Sequence, residues 1–531
     1  MTSGNWRSSL KFPFFKGKVE TLFAHSTSIR WIYGLLLFSS FFVLMYLIQY
    51  SSNSLVGTDG YYHIKIASLM RTEGLKPEFP WLPLTILNPG EFADHHFLFH
   101  VLLIPFTFGD LIQGAKLASI IFASFAFISI WWLLKNQNVS YAGLWALGLF
   151  AISEAFLYRM NMPRAQSLSL ALLVLGLNFL FVKKYLFLTP LAFVYVWLFD
   201  GFPLLLVITL IYIFSEWMIE QTLDLRPLLY VLAGIFLGLL FNPYFPHNIV
   251  FIIRHLVPKF AVSNGVRVGN EWYPYETGQL LENSPLALMA FLSGVVAIGL
   301  RKQRMDSRTA TGLFIAIFFL IMLFQSRRYI EYFPPFALIF AAMAWDPLIS
   351  SSRRSESGST SELSPIISHG DPSYSPKRTW LVGGILALIV FTGIWFTAQG
   401  AQQSIMKAKS ANRYSESATW LAQNTPYGAR IFQTDWDDFT RLFYYNTHNT
   451  YLIGLDPTYL HLKDPDLFEL WVNISRGEEE LPSKLIFQQF AAEYVFTDTS
   501  HKKFIELAGD DPGLEEVFKD EEAVIFQVVP N

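Results

Sequence analysis

The chain has 531 residues, of which 52% are hydrophobic, 17% aromatic and only 15% charged, with a net charge of −3. Soluble domains carry about 25% charged residues, and 50 Phe, 24 Tyr and 15 Trp are more apolar surface than one water-soluble core can hide. These figures exclude intrinsic disorder and a basic nucleic-acid binder. With no cysteine there is no disulfide framework, thiolate metal site or Cys nucleophile, and a polytopic membrane protein remains.

From the N-terminus, residues 1–30 are basic (Arg7, Lys11, Lys16, Lys18, Arg30). They precede a full-length apolar run with no small-residue cleavage site, so they read as a cytoplasmic segment rather than a cleaved signal. A membrane helix needs about 20 mostly apolar residues. Candidate spans fall near 31–50, 115–134, 141–157, 165–182, 185–199, 201–220, 228–245, 286–300, 310–325, 333–349 and 380–397. With 97–109 as a further span or an interfacial helix, the transmembrane region 31–400 is expected to hold about 11–13 helices. Alternating sides from a cytoplasmic N-terminus puts Lys135, Lys183-Lys184, Arg226, Arg301-Lys302-Arg304 and Arg353-Arg354 on the cytoplasmic face, as the positive-inside rule requires. The loops 51–96 and 246–285, and the C-terminal domain, then lie outside. The Ser- and Pro-rich stretch 350–378 reads as a cytoplasmic linker.

Charge divides the chain as well. Residues 1–410 carry 30 Lys+Arg against 21 Asp+Glu, whereas 411–531 carry 9 against 21. The tail alternates helical patterns with β-rich runs at Ala429–Phe432, Tyr451–Ile453, Tyr494–Thr497 and Val524–Val529, which predicts a small extracytoplasmic α/β domain over 411–531. It contains no Gly-rich phosphate fingerprint and no P-loop, so nucleotide use is not expected.

The external segments hold the polar residues that could do chemistry. Thr58-Asp59-Gly60-Tyr61-Tyr62-His63 follows the first span. Asp59 there suits a divalent cation or a base, or simply the start of a helix. Asp94-His95-His96, with His100 one helical turn on, offers hard and borderline metal ligands, or a polar cap on an apolar helix. Arg159 and Arg164 flank a short external loop, and Arg327-Arg328 form another external turn. External arginines run against the positive-inside trend, so they point to capture of a phosphate or diphosphate head, or to pairing with lipid phosphate or Glu331. The loop 246–285 exceeds ordinary loop length and carries Glu271. In the tail, Asp435-Trp436-Asp437-Asp438 follows an expected strand, where open α/β sheets bind ligands.

Taken in order, these residues resemble the catalytic subunit of oligosaccharyltransferase, in the GT-C class of membrane glycosyltransferases. Asp59-Gly-Tyr-Tyr-His63 with Trp81-Leu-Pro83 resembles the family's opening aspartate motif and its W-x-P. Val268-Gly-Asn-Glu271 resembles S-V-x-E, and Arg327-Arg328-Tyr329 through Pro334-Pro335 resembles the arginine segment that contacts the lipid diphosphate. Asp435-Trp436-Asp437-Asp438-Phe439 with Leu442-Phe-Tyr-Tyr445 resembles W-W-D-Y-G and its downstream aromatics. The resemblance implies a GT-C-like fold and transfer of a sugar or oligosaccharide from a polyprenyl phosphate or diphosphate to a protein or glycan acceptor. It implies Asp59 and Glu271 as catalytic residues, one of Arg327 and Arg328 on the donor phosphate, and Trp436 and Asp437 on the acceptor; the external Arg159 and Arg164 are further candidates for the donor phosphate. It also implies a divalent metal, Mg or Mn, for which Asp59, Asp94, His95, His96 and Glu271 are the available ligands.

The chain departs from the family's pattern at two motifs. The second aspartate motif should fall near Arg164-Ala165-Gln166, where the acids are missing. Either Asp94 with His95 or His96 completes a metal site, or no tightly bound metal is needed. The first Trp of W-W-D is Asp435, and Tyr-Gly is Asp438-Phe439, so the acceptor pocket differs. The competing function is a transporter or carrier of lipid-linked glycans, which predicts paired repeats and mid-membrane charges. A third is an assembly subunit. No internal repeat is visible, and the marked residues collect on one side. Compactness and the lack of Cys point to a bacterial inner membrane.

Overall fold

The structure, a computed structural model, describes residues 15–260, 269–301, 303–354 and 376–529. The linker expected at 350–378 and Val268 of the loop motif therefore lie largely outside the described residues, while 15–30 form the first turns of a helix, Phe15–Gln49.

Apolar runs become helices here because a backbone without water must bond to itself. Among the described residues, six helices are long and apolar enough to cross a membrane: Trp31–Gln49 (within Phe15–Gln49), Leu111–Asn136, Pro203–Glu220, Ser307–Gln325, Phe333–Ser350 and Leu381–Met406. A seventh forms if Thr277–Asn283 and Pro285–Leu300, bent by 85° at Ser284, count as one. Four shorter apolar helices, Phe97–Thr107, Gln166–Phe181, Tyr185–Leu198 and Arg226–Leu240, fill all but one of the remaining expected segments. The expected span 141–157 is not a span. It breaks into Ala142–Leu147, a 3-10 turn at Gly148–Phe150 and Glu154–Met160. The break has a local cause: Ser153 adopts an extended backbone, and its hydroxyl accepts from the Phe156 N–H at 3.1 Å, starting a new helix.

Small residues set the close helix approaches. A Cβ at Gly234 would run into the Thr189 carbonyl, and Gly238 packs on Val196 while its carbonyl accepts from the Trp197 indole at 2.9 Å. Polar groups inside this body pair with one another. Asn136 donates to Asn178 at 3.0 Å, and the Ser169 hydroxyl lies 2.5 Å from that of Tyr195 and 2.9 Å from that of Tyr332.

The C-terminal domain is a five-stranded sheet flanked by helices. Its strands are β1 (Arg430–Gln433), β2 (Thr450–Tyr451), β3 (Tyr494–Asp498), β4 (Leu514–Lys519) and β5 (Ala523–Val528). The order is β2-β1-β3-β5-β4, parallel across β2, β1 and β3 and antiparallel beyond. Every residue of β3 is buried, as befits a central strand covered on both faces. β4 was not expected from the sequence; its Leu-Glu-Glu-Val-Phe-Lys is an edge strand with acids facing water.

The loop 51–96 fastens this domain to the helical body. The Trp81 indole donates to the Thr447 carbonyl at 2.9 Å, and the Trp81 carbonyl accepts from Tyr451 of β2 at 2.8 Å. Ile86 donates to the Tyr459 carbonyl at 3.2 Å, and Lys463 pairs with Glu91 at 2.8 Å. One apolar cluster runs through both parts, joining Tyr62, Phe79, Trp81 and Phe97 to Phe439, Phe443 and Tyr451.

Candidate functional site

Nine stretches distant in sequence meet at one cavity of about 560 Å³ between the helical body and the sheet domain. Asp59 opens the helix Asp59–Glu73, where the exposed amides of a first turn favour a carboxylate. The next residue fixes its position. A Cβ on Gly60 would lie 2.5 Å from Pro163 Cγ, so only glycine lets this helix come up against the 161–165 loop that carries Arg164. Arg159 is on the last turn of Glu154–Met160, the helix that Ser153 starts. Glu271 sits in a 3-10 turn, Asn270–Trp272, and Arg328 in another, Arg327–Glu331. These two turns are tied together: the Ser326 hydroxyl donates to the Glu271 carbonyl at 2.8 Å, and the Arg327 amide donates to the Tyr273 carbonyl at 3.0 Å.

The cavity holds an interlocked charge cluster. Arg164 reaches Glu271 at 3.0 Å through one terminal nitrogen and 3.3 Å through the other, while its Nε lies 3.2 Å from Asp59. Arg159 donates to Glu271 at 2.8 Å and, through Nε, to the buried Glu331 at 2.7 Å. Arg328 is the loosest member, 3.6 Å from Glu271, with its guanidinium over the Trp272 ring at 4.8 Å and the Phe199 ring at 5.8 Å. Burial pushes the Glu271 carboxyl up, but Arg164, Arg159 and Arg328 outweigh that and hold it well below the usual carboxylate range.

The sheet domain closes the other side. Asp435, Trp436 and Asp437 line the cavity from the turn after β1. The Thr58 hydroxyl donates to Asp437 Oδ1 at 2.8 Å, joining this turn to the Asp59 helix. Burial, together with the nearby Asp435 and Asp59, pushes the Asp437 carboxyl up to about 6 against that hydrogen bond.

A third wall is imidazole. His63, one turn from Asp59 on the same helix, lines the cavity with His95, His96 and His255. His63 Nδ1 lies 2.8 Å from His100 Nε2, and His100 Nδ1 lies 2.7 Å from Asp94. Burial pushes the His95 imidazole down to about 4 and the His63 and His96 imidazoles well below the ordinary histidine value. His255 lies 3.3 Å from Asp200, a carboxylate that also lines the cavity.

Of the sequence-marked residues, Asp59, Glu271, Arg159, Arg164, Arg328, Trp436, Asp437, His95 and His96 face this cavity. Two do not. Arg327 fastens the loop instead: its Nε donates to the Pro274 carbonyl at 3.0 Å, and its guanidinium covers the Tyr275 ring at 5.2 Å. Asp94 is buried, with Oδ1 accepting from the His96 amide at 2.9 Å and Oδ2 beside His100. Asp200 and His255 were missed; a lone acid between two apolar runs at Phe199-Asp200-Gly201 was the available signal.

The expected metal set does not assemble. Among the described residues, no group of three or more His, Asp or Glu side chains is arranged to hold an ion. Both Asp94 oxygens are engaged away from the cavity, and Asp59 and Glu271 already share the Arg164 guanidinium. A divalent ion about 4 Å from one guanidinium would meet roughly 8 kcal/mol of repulsion at an effective dielectric of about 20. These residues do not fit the group, and no chemical step is derived through it.

No family model and no curated protein matches the sequence. Solved structures do match. The oligosaccharyltransferase AglB of Archaeoglobus fulgidus, in complex with an inhibitory peptide and a dolichol-phosphate, superposes with a TM-score of 0.62 at 12% identity, covering 90% of this chain and 71% of that one. The same enzyme with zinc and sulfate gives 0.59 at 12%, over 93% and 73%. ArnT of Cupriavidus metallidurans bound to undecaprenyl phosphate gives 0.52 at 16%, over 93% and 97%. The chain is an integral membrane protein in type, and its fold is that of the GT-C membrane glycosyltransferases to which these enzymes belong.

Proposed function

We propose that this protein is a membrane glycosyltransferase that moves a sugar or oligosaccharide from a polyprenyl phosphate or diphosphate to a protein or glycan acceptor on the extracytoplasmic side. The observation that carries the reading is the meeting of Asp59, Glu271, Arg328, Trp436 and Asp437 on one cavity at the junction of helical body and sheet domain. A carrier without chemistry has no use for such a convergence. The basic N-terminal segment supports a cytoplasmic N-terminus, which puts the cavity and the sheet domain on the opposite side.

The donor's lipid lies along the apolar helices and its phosphate meets Arg328, the cation least committed to a carboxylate. Arg159 and Arg164 add positive field behind it. The acceptor enters between the 246–285 loop and the sheet domain, against Trp436 and Asp437. Its nucleophile attacks the anomeric carbon as the bond to the phosphate oxygen breaks. Negative charge grows on the leaving phosphate, so guanidinium groups aimed there lower the barrier more than they tighten substrate binding. Asp59, a third exposed to the cavity at 32%, takes the acceptor's proton or orients the nucleophile.

The test is turnover. Purified protein supplied with a polyprenyl-linked sugar and a peptide or glycan acceptor should release lipid phosphate and form a glycosylated product. Asp59→Ala and Arg328→Ala should abolish this while the melting curve stays cooperative. Full turnover in both variants would remove the assignment.

A further inference from the structure

We propose that the guanidinium of Arg164 is the resident cation of this cavity, occupying the place between Asp59 and Glu271 where a divalent ion would bind, so that the site works without a metal. The inference deepens the transferase reading and rests on it only for its activity arm.

Four observations converge. Arg164 bridges the two carboxylates directly, at 3.2 Å to Asp59 and at 3.0 Å and 3.3 Å to Glu271. It is held there by fixed geometry: the glycine at 60 admits Pro163, and the chain then turns so that the Arg164 amide donates to the Met162 carbonyl at 2.8 Å. Its side chain is only 12% exposed, so the group is built in rather than a solvent-facing arm that could swing aside. Both candidate ligand carboxylates are also already paired with guanidinium: Asp59 with Arg164, and Glu271 with Arg159, Arg164 and Arg328. A divalent ion must exchange its water for several oxygen ligands, and a carboxylate already bridged by a guanidinium has less to offer it. Guanidinium suits the role, because it stays charged at any working pH and its planar fork engages two carboxylates at once.

The experiment is manganese binding followed by electron paramagnetic resonance, on the full-length protein in detergent with any affinity tag removed. Wild type should leave the free-ion Mn²⁺ signal undiminished at micromolar metal. Arg164→Asp returns an acid to the position and removes the blocking cation, and it should gain a bound ion that Asp59→Asn in the same background removes. In the activity arm, a chelator should leave wild-type transfer unchanged. Arg164→Lys keeps the charge but loses the fork, and transfer should fall by about tenfold or more without becoming metal-dependent.

Tight Mn²⁺ binding by wild type that Asp59→Asn abolishes would overturn the proposal. So would chelator-sensitive wild-type transfer restored by Mn²⁺ or Mg²⁺, or a folded Arg164→Asp that gains no ion. The wild-type titration needs no variant to fold. It also reads the cation directly, so a failed transfer assay would count against the proposed function and leave this result standing.

Discussion

Gly60→Ala isolates the geometry of the site from its chemistry. The added Cβ would lie 2.5 Å from Pro163 Cγ, 3.0 Å from Pro163 Cδ and 3.2 Å from Leu55. Proline is a stiff ring and cannot fold away, so the helix and the 161–165 loop must separate by about 1 Å to restore an ordinary contact. Overpacking of this kind costs about 1–3 kcal/mol. Alanine in a helix returns up to about 1 kcal/mol over glycine, so the net loss of stability should be about 0–3 kcal/mol. The effect on transfer should be larger, because the shift opens the 3.2 Å Arg164–Asp59 contact directly. A misplacement of about 1 Å in a catalytic constellation can cost on the order of 100-fold in rate. The assay pairs initial rates of transfer with melting curves, using Gly509→Ala as the control, since nothing lies within 4 Å of a Cβ there. A Gly60→Ala protein with wild-type turnover would show that the Asp59–Arg164 spacing does not matter to the reaction.

Other variants separate neighbouring roles. Arg328→Ala should lower transfer by about 100-fold or more, the usual cost of a lost oxyanion contact, whereas Arg327→Ala should loosen the 269–275 loop with a smaller effect on rate; comparable losses in both would refute the division of labour. Trp81→Phe deletes one hydrogen bond between loop and sheet domain and should cost about 1 kcal/mol, read as faster limited proteolysis at the junction. Burial first, and the neighbouring Asp435 second, push the Asp438 carboxyl up to about 8 from 3.8. The folded state therefore holds a proton that the unfolded chain releases, and stability falls as pH rises between about 4 and 8, by at most about 1.4 kcal/mol per pH unit. Subtracting the Asp438→Asn melting curves from wild type should reveal that slope, and a pH-independent difference would refute it.

What the sequence makes legible follows from how local each signal is. Apolar runs need no partner to be recognised, and the long spans fall where the hydropathy pattern puts them. The 141–157 segment misleads because its composition suits a span while one hydroxyl, on Ser153, restarts the helix in the middle. β4 is hidden by its charges, since an edge strand needs only one apolar face. The candidate site is legible as a set of residue types, because arginines and carboxylates in apolar surroundings demand an explanation. Their pairing is not. Arg327 and Arg328 are adjacent in sequence, yet the first bonds backbone carbonyls and the second enters the cavity, a difference made by the tie between Ser326 and Glu271. Asp94 likewise passes for a ligand until its partner His100, one turn into the next helix, is in view.

On the proposed reading, the same pairing explains how the cluster receives an anion. Three guanidinium groups buried together would repel one another and stay hydrated, and three carboxylates would exclude phosphate. Interlocked, they hold one another in place before substrate arrives. The bonds are unequal, however. Arg159 and Arg164 each grip two carboxylates, whereas Arg328 reaches only Glu271, at 3.6 Å, and rests on Trp272. On the proposed reading, an arriving phosphate takes Arg328 at little cost and leaves the other two in place. Positive field then builds behind the departing oxygen while Asp59 and Glu271 remain where the acceptor needs them. A cluster with all three arginines equally committed would have to break before it could bind.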